Sequence, residues 1–290
     1  MFQPTPHSLN TPSLSRSFLQ RHPLVILGTG YIGRRLYHQA RQAGWKTLAT
    51  SRIPELHLTE ILPEHRILFD LSQPKTWPSI PIPAHIIWCF PAMPSNLVQA
   101  FFSARPLKSG RIIVMGSTSA YRSHNGPVTE QTPLNSHLSR VQGEEYLRTN
   151  LGAVIIRLAG LYGPGRNVLD WMRSGKIRNS PKWVNLLHVE DAAAICLRAL
   201  EGALDGSTYL ASDGIPRTWA EIFSIASSTW GIPVPPRTPN QETGKQVSIH
   251  KLLTDLNYTF RFPNLYQALD QIEGTSFWGS LSDFMRRSGD

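Results

Sequence analysis

The sequence is poor in cysteine. Cys89 and Cys196 are the only two in 290 residues, they lie far apart, and they form no C-x-x-C pair. A cysteine-rich zinc site is excluded, and a reducing compartment fits. Long apolar runs are missing too. None approaches the roughly 18 residues that span a bilayer, so a soluble, cytoplasmic protein without a membrane partner is expected. Acidic residues are absent before Glu55, whereas the first 54 residues carry seven Lys and Arg. The formal net charge of +9 is therefore concentrated near one end. A nucleic-acid surface more often shows a basic stripe interleaved with aromatics. No such stripe is evident, and nucleic acid is not the expected partner. Residues 1–22 lack a continuous apolar core, which argues against a secretory signal. Their Ser, Pro and Thr content reads as a disordered tail. Organellar targeting is the less favoured reading of that acid-free stretch.

What is present begins at Pro23–Arg52. Leu24 to Leu27 is a short apolar run of strand length, followed by Gly28, Gly30 and Gly33 as G-x-G-x-x-G. An amphipathic segment with Ile32, Leu36 and Ala40 on one face comes next. Thr47 to Ala49 makes a second strand, closed by Thr50, Ser51 and Arg52. Strand, glycine turn, helix and strand are the context that a dinucleotide fingerprint requires. Gly28 gives the tight turn, Gly30 lets the backbone approach a pyrophosphate, and Gly33 lets helix and strand pack closely. The phosphates would sit on the helix start at Tyr31 and Ile32. The end of the second strand selects the cofactor. An acid there holds the ribose 2′-hydroxyl of NAD, and an arginine accommodates the 2′-phosphate of NADP. Ser51 and Arg52 stand there, so the cofactor reads as NADP, with NAD the alternative.

Further strands are expected at Arg66–Asp70, Ala84–Phe90, Arg111–Met115 and Ala153–Leu158, with helices at Asn96–Ala104 and Leu138–Leu147. This alternation means an α/β fold, a doubly wound parallel Rossmann sheet with helices on both faces. Ligands bind at the C-terminal strand ends of such sheets, which places Asp70, Leu71 and Phe90 beside the cofactor. The NADP-binding domain is expected over residues 23–160, and a smaller C-terminal substrate lobe over 161–290. Within that lobe, residues from about 183 to 211 are expected to return to the sheet. His188, Glu190 and Asp191 are weighed as metal ligands, and no metal is assigned.

Taken together, VILGTGYIG, the strand with GSTSAY, RLAGLYGPGRN and LLHVEDAA give a pattern that resembles the extended short-chain dehydrogenase/reductase superfamily, the NAD-dependent epimerase/dehydratase group. AYRSHNGPVTE is similar to a stretch of an atypical branch of that superfamily. The resemblance runs from Leu24 to about Ile272. It implies an oxidoreductase or epimerase of a small carbonyl, alcohol or sugar-nucleotide substrate, with Ser117 at the superfamily's catalytic serine position. The superfamily's Tyr-x-x-x-Lys is missing. Ser136 holds the tyrosine position and Arg140 the lysine position, where a guanidinium can still hold ribose and supply charge. A serine hydroxyl is far too weak an acid to replace a phenol. Tyr121 is then the first candidate for moving a proton, ahead of His124, His137 and Tyr162. Tyr162 and Arg166 are the candidate substrate contacts. A non-catalytic NADP-binding sensor or assembly factor remains the second reading, an RNA-binding relative the third. Oligomeric state is open, with a homodimer among the alternatives.

Overall fold

The computed structural model describes residues 19, 21–107, 110–121, 125–238 and 243–274. Strands β1 (Leu24–Leu27), β2 (Thr47–Ser51), β3 (Arg66–Leu68), β4 (His85–Trp88) and β5 (Ile112–Ser117) lie where apolar runs place them. Helix α1 (Tyr31–Gln42) links β1 to β2, and the short α2 (Pro54–His57) follows β2. Helix α3 (Ser95–Ala104) links β4 to β5. After the short β6 (Gly126–Val128), α4 (Ser139–Leu151) leads into β7 (Val154–Leu158). Beyond β7 come β8 (Gly160–Tyr162), α5 (Val168–Arg173), β9 (Trp183–Val184), β10 (Leu186–His188) and α6 (Val189–Gly202). The chain continues through β11 (Thr208–Ala211), β12 (Arg217–Thr218), α7 (Trp219–Trp230), β13 (Lys245–Val247) and α8 (His250–Leu256). Residues 265–274 are helical.

Among the described residues, seven strands form one sheet in the order β11-β7-β5-β4-β1-β2-β3. Every neighbouring pair is parallel. Alternate side chains of a strand point to opposite faces, so both faces must be apolar when helices cover both. The core of the sheet has two layers: Leu24 and Ile26 join Leu36, Ile113 and Ile156 on one face, and Val25 and Leu27 join Trp88, Phe101 and Ile155 on the other. The chain order reverses between β1 and β4. That crevice, at the C-terminal strand ends, is where such sheets take ligands. Leu19, within the expected tail, is 3% exposed, and its carbonyl accepts from His85 Nε2 at 2.9 Å.

Of residues 183–211, Thr208–Ala211 join the sheet beside β7. Trp183–His188 do not. β9 pairs with β12, and β10 runs parallel to β8 in a separate two-stranded sheet. The reason lies at Ala159, whose N–H bonds Ala211 O and ends the main ladder. The chain then leaves the sheet as β8, and Gly160 N–H bonds Asn185 O instead. A second core gathers here from Tyr162, Leu169, Leu186, Phe223 and Leu269.

Asp191 ties this part to α6. Its buried carboxylate accepts from Tyr258 Oη at 2.7 Å, Arg261 N at 2.8 Å and Phe262 N at 2.9 Å. His188 stacks on Phe262 with ring centroids 3.7 Å apart, and its Nδ1 accepts from Glu190 N at the start of α6. Both residues are structural.

Burial pushes the His188 imidazole down to about 4, below its ordinary 6.5. Between those values the unfolded chain binds a proton that the folded chain refuses. Stability should therefore fall as pH drops from about 6.5 towards 4, by up to about 1.4 kcal/mol per pH unit from this group. His188→Asn keeps a cap acceptor and removes the titration. Urea unfolding at pH 7, 6, 5 and 4.5 should show a shallower loss for the variant; parallel curves would contradict the assignment.

Candidate functional site

At the end of β1 the backbone turns at Gly28 with φ +87°. A Cβ on Gly28 would stand 2.7 Å from the Phe90 ring, and one on Gly33 2.7 Å from Gly28 O. These two positions need glycine for space. Gly30 differs: a Cβ there meets nothing within 4 Å, so its face opens into the cleft. Two threonines lock the turn. Gly28 N donates to Thr50 Oγ1 at 2.9 Å, and Thr50 N donates to Thr29 Oγ1 at 3.0 Å. Thr29 N then donates to Thr50 O at 3.0 Å. Among the described residues no side chain caps α1, and its first turn holds no acid. The N–H groups at its start and the positive end of its dipole are thus left for an anion. The residues fit a dinucleotide pyrophosphate.

A cavity of about 490 Å³ opens from this turn along the ends of β2, β3 and β4. Gly28, Gly30, Ser51, Arg52, Asp70, Leu71 and Phe90 all line it, as the sequence leads one to expect. Arg34 and His57 line it as well and were not foreseen. Ser51 Oγ sits 3.0 Å from His57 Nδ1 and accepts from Ile53 N at 3.1 Å. Arg34 Nη1 pairs with Glu60 Oε1 at 2.8 Å. Asp70 is engaged locally, accepting from Ser72 Oγ at 2.7 Å, Ser72 N at 2.9 Å and Gln73 Nε2 at 3.2 Å. Those bonds, the Ser72 hydroxyl foremost, hold its carboxyl below the usual range, and Arg52 adds to the effect.

A second cavity of about 290 Å³ shares Cys89 and Phe90 with the first. Ile32, Ser117, Arg140, Glu144 and Arg166 line it. Ser117 and Arg140, chosen from the sequence, therefore come together at the far end of one cleft. Arg166 also lies over the Tyr31 ring, 4.4 Å from its centroid. Tyr31 starts α1 as expected, but its hydroxyl is buried and its ring lines neither cavity. Glu144 escaped sequence reasoning. Its carboxylate lies 3.3 Å from Arg157 Nε with both side chains 2% exposed. Burial raises the Glu144 carboxyl against the pull of Arg157. A Cβ on Gly116, next to last in β5, would stand 3.0 Å from that carboxylate, so a side chain there would push Glu144 aside by a few tenths of an ångström.

Two tyrosine candidates from the sequence, Tyr121 and Tyr162, line neither cavity. Tyr121 is 2% exposed and packs with Val128, Leu210 and Val247. Its hydroxyl accepts from Arg157 Nη1 at 3.3 Å, and burial raises its pKa. It stands behind Arg157, so it does not reach a substrate oxygen. Tyr162 is fully buried in the second core, edge-on to His188, with its phenol likewise pushed up by burial. His137 is exposed and lines neither cavity, and His124 lies outside the described residues.

No family model matches the chain. Protein YeeZ of Escherichia coli is 27% identical over 162 residues, 53% of this chain and 59% of that protein. Methionine adenosyltransferase 2 subunit beta of Mus musculus is 23% identical over 218 residues, 62% of each chain. The matches thus span about three fifths of these curated relatives. Among solved structures, a short-chain dehydrogenase/reductase superfamily protein from Agrobacterium tumefaciens with bound NAD superposes with a TM-score of 0.75 at 15% identity. That match covers 91% of this chain and 100% of the other. The dTDP-glucose 4,6-dehydratase of Bacillus anthracis, in complex with NAD, gives 0.68 at 12% identity, covering 89% and 98%. Structural likeness at such identities establishes the fold.

The threonine lock carries a direct test. Thr50→Val leaves the Gly28 N–H buried without an acceptor, a loss of about 1–3 kcal/mol. Urea unfolding should show that loss for Thr50→Val and little change for Thr50→Ser. Equal stability of all three proteins would mean that the lock contributes nothing.

Proposed function

We propose that this chain, which has the fold of the extended short-chain dehydrogenase/reductase superfamily, is an NADP-dependent oxidoreductase or epimerase. Its substrate is a small carbonyl or alcohol compound, or a sugar nucleotide. One observation carries the reading: two adjoining cavities that share Cys89 and Phe90 lead from the basic rim at the end of β2, past the start of α1, to Ser117 and Arg140. Solved neighbours with the same fold hold NAD, which supports a nicotinamide cofactor at this position. One of them is named for a sugar nucleotide, which supports that substrate class.

The preference for NADP over the neighbours' NAD rests on this chain's own rim. Ser51 and Arg52 end β2, and no carboxylate stands there to anchor a bare ribose. Arg34 and His57 line the same cavity. Guanidinium groups and a hydroxyl suit a phosphate. When bound, the cofactor supplies hydride at its nicotinamide ring. In this reading Ser117 donates a hydrogen bond to the oxygen of the reacting carbon and Arg140 supplies positive charge; both line the second cavity, which supports those roles.

A second reading has its own support. Ser136 stands at the tyrosine position, and Tyr121 is buried away from the cleft, so no phenol is ready to move a proton. A relative named as a subunit of a larger enzyme is consistent with a non-catalytic, NADP-binding partner role.

Isothermal titration should give NADPH at least about tenfold tighter binding than NADH, since a charge-assisted hydrogen bond contributes about 1.5–3 kcal/mol. Arg52→Asp should abolish or invert that preference; an unchanged ratio would remove Arg52 as the reader. NADPH oxidation with a panel of carbonyl compounds, lost on Ser117→Ala, would establish catalysis. Tight binding without any oxidation would favour the partner role.

A further inference from the structure

We infer that Ser119, a residue outside the cleft lining, sets the direction of the Ser117 hydroxyl and aims its proton at the substrate. The inference rests on the cleft reading above. It begins from three contacts on the turn that follows β5. Ser119 N donates to Ser117 Oγ at 3.2 Å, the two hydroxyl oxygens lie 2.9 Å apart, and Arg140 Nη2 donates to Ser119 Oγ at 2.5 Å.

Each serine has one O–H to give and two lone pairs to offer. Between the two hydroxyls only one proton can lie, so there are two arrangements. In the first, Ser119 gives its proton to Ser117. Ser117 then accepts from both the N–H and the O–H of Ser119, its lone pairs are filled, and its own proton is free. In the second, Ser117 gives its proton to Ser119, which already accepts from Arg140. That proton then points towards the guanidinium, against the field of a cation. In the first arrangement the guanidinium polarises the Ser119 O–H and strengthens its donation, and the chain of donors runs away from the charge. The first arrangement wins, and Ser117, which lines the second cavity, can act there only as a donor.

The turn is held from the opposite side as well. Lys245, on β13, donates from Nζ to Thr118 O at 3.1 Å. Burial lowers its pKa, and the neighbouring Lys182 and Arg140 add to the effect. Two cations from different elements therefore fix Thr118 and Ser119, the residues just after Ser117. The ligand chemistry follows. A fixed hydroxyl donor, backed through a second hydroxyl by a guanidinium, favours an oxygen that gains negative charge, as a carbonyl oxygen does when hydride reaches its carbon. Ser119 and Ser117 keep their protons throughout; they orient and polarise, and the alkoxide left when hydride reaches the carbon takes its proton from solvent water. Ser119 is a positioning residue. Its signal in the sequence is the second serine of GSTSAY, two residues past the serine position.

Neutron diffraction from deuterium-exchanged crystals tests the arrangement without any turnover. The Ser119 deuteron should lie on the line to Ser117 Oγ, with the Ser117 deuteron directed into the cleft. A Ser117 deuteron on the line to Ser119 overturns the inference. Kinetics with NADPH and 9,10-phenanthrenequinone as the carbonyl probe give a second arm. Ser119→Ala should lower kcat about tenfold, with KM for NADPH unchanged, and Ser119→Thr should restore kcat to within about twofold. An unaltered kcat in Ser119→Ala overturns the positioning role. If NADPH does not bind, the proposed function fails, and the deuteron positions alone decide the inference.

Discussion

Between Leu27 and Tyr31 the backbone has three residues in which to leave a buried strand and enter a helix whose first N–H groups stay open. Everything around the cleft serves that turn. Space forbids a side chain at Gly28 and Gly33, because Phe90 and the Gly28 carbonyl fill it. The polar groups of the turn cannot reach water through the sheet, so Thr29 and Thr50 satisfy them with 2.9–3.0 Å hydrogen bonds. That arrangement also fixes the end of β2 against the end of β1. Ser51 and Arg52 are in this way delivered to the same cavity as Gly30, and the residues that would hold the pyrophosphate and those that would read the ribose move as one piece.

The opposite end of the cleft depends on charge rather than on space. Arg157 on β7 is almost fully buried and pairs with Glu144 at 3.3 Å and Glu145 at 2.9 Å. Removing either partner from a buried pair costs far more than the pair contributes net. The three residues therefore constrain α4 to one position over β5 and β7, and α4 is the helix that carries Arg140. Tyr121 belongs to this buried network, which explains why an aromatic residue after β5 is drawn inward. The second core joins the sheet through Asp191, whose oxygens accept two backbone N–H groups and one phenol from the segment beyond α8.

Much of this was legible in the sequence. Runs such as LVIL and HIIW are apolar on both faces, and only a strand buried between helix layers tolerates that. The glycine spacing located the turn, and Arg52 was identified from its place at a strand end. Other features left no periodic trace. β8 and β10 are three residues each, too short to show alternation, and they leave the sheet because of one backbone bond at Ala159. Nothing in SAY or GLYG says whether a tyrosine turns inward, since that depends on Arg157 and on the second core. Thr29 and Thr50 look like ordinary turn and strand residues until both are seen to face one another. Glu144 lies one helical turn beyond Arg140, a spacing that places both on one face, so this relation is legible in the sequence.

In the proposed function this cleft binds NADP(H) with its pyrophosphate on the start of α1 and its nicotinamide beside Ser117. A crystal structure of the protein with NADPH tests it most directly. The expected density places the 2′-phosphate within hydrogen-bond reach of Ser51 and Arg52, the pyrophosphate against Gly30, and the nicotinamide ring in the cavity of Ser117 and Arg140. A dinucleotide lying the other way round, or bound elsewhere with this cleft left to solvent, would overturn that assignment.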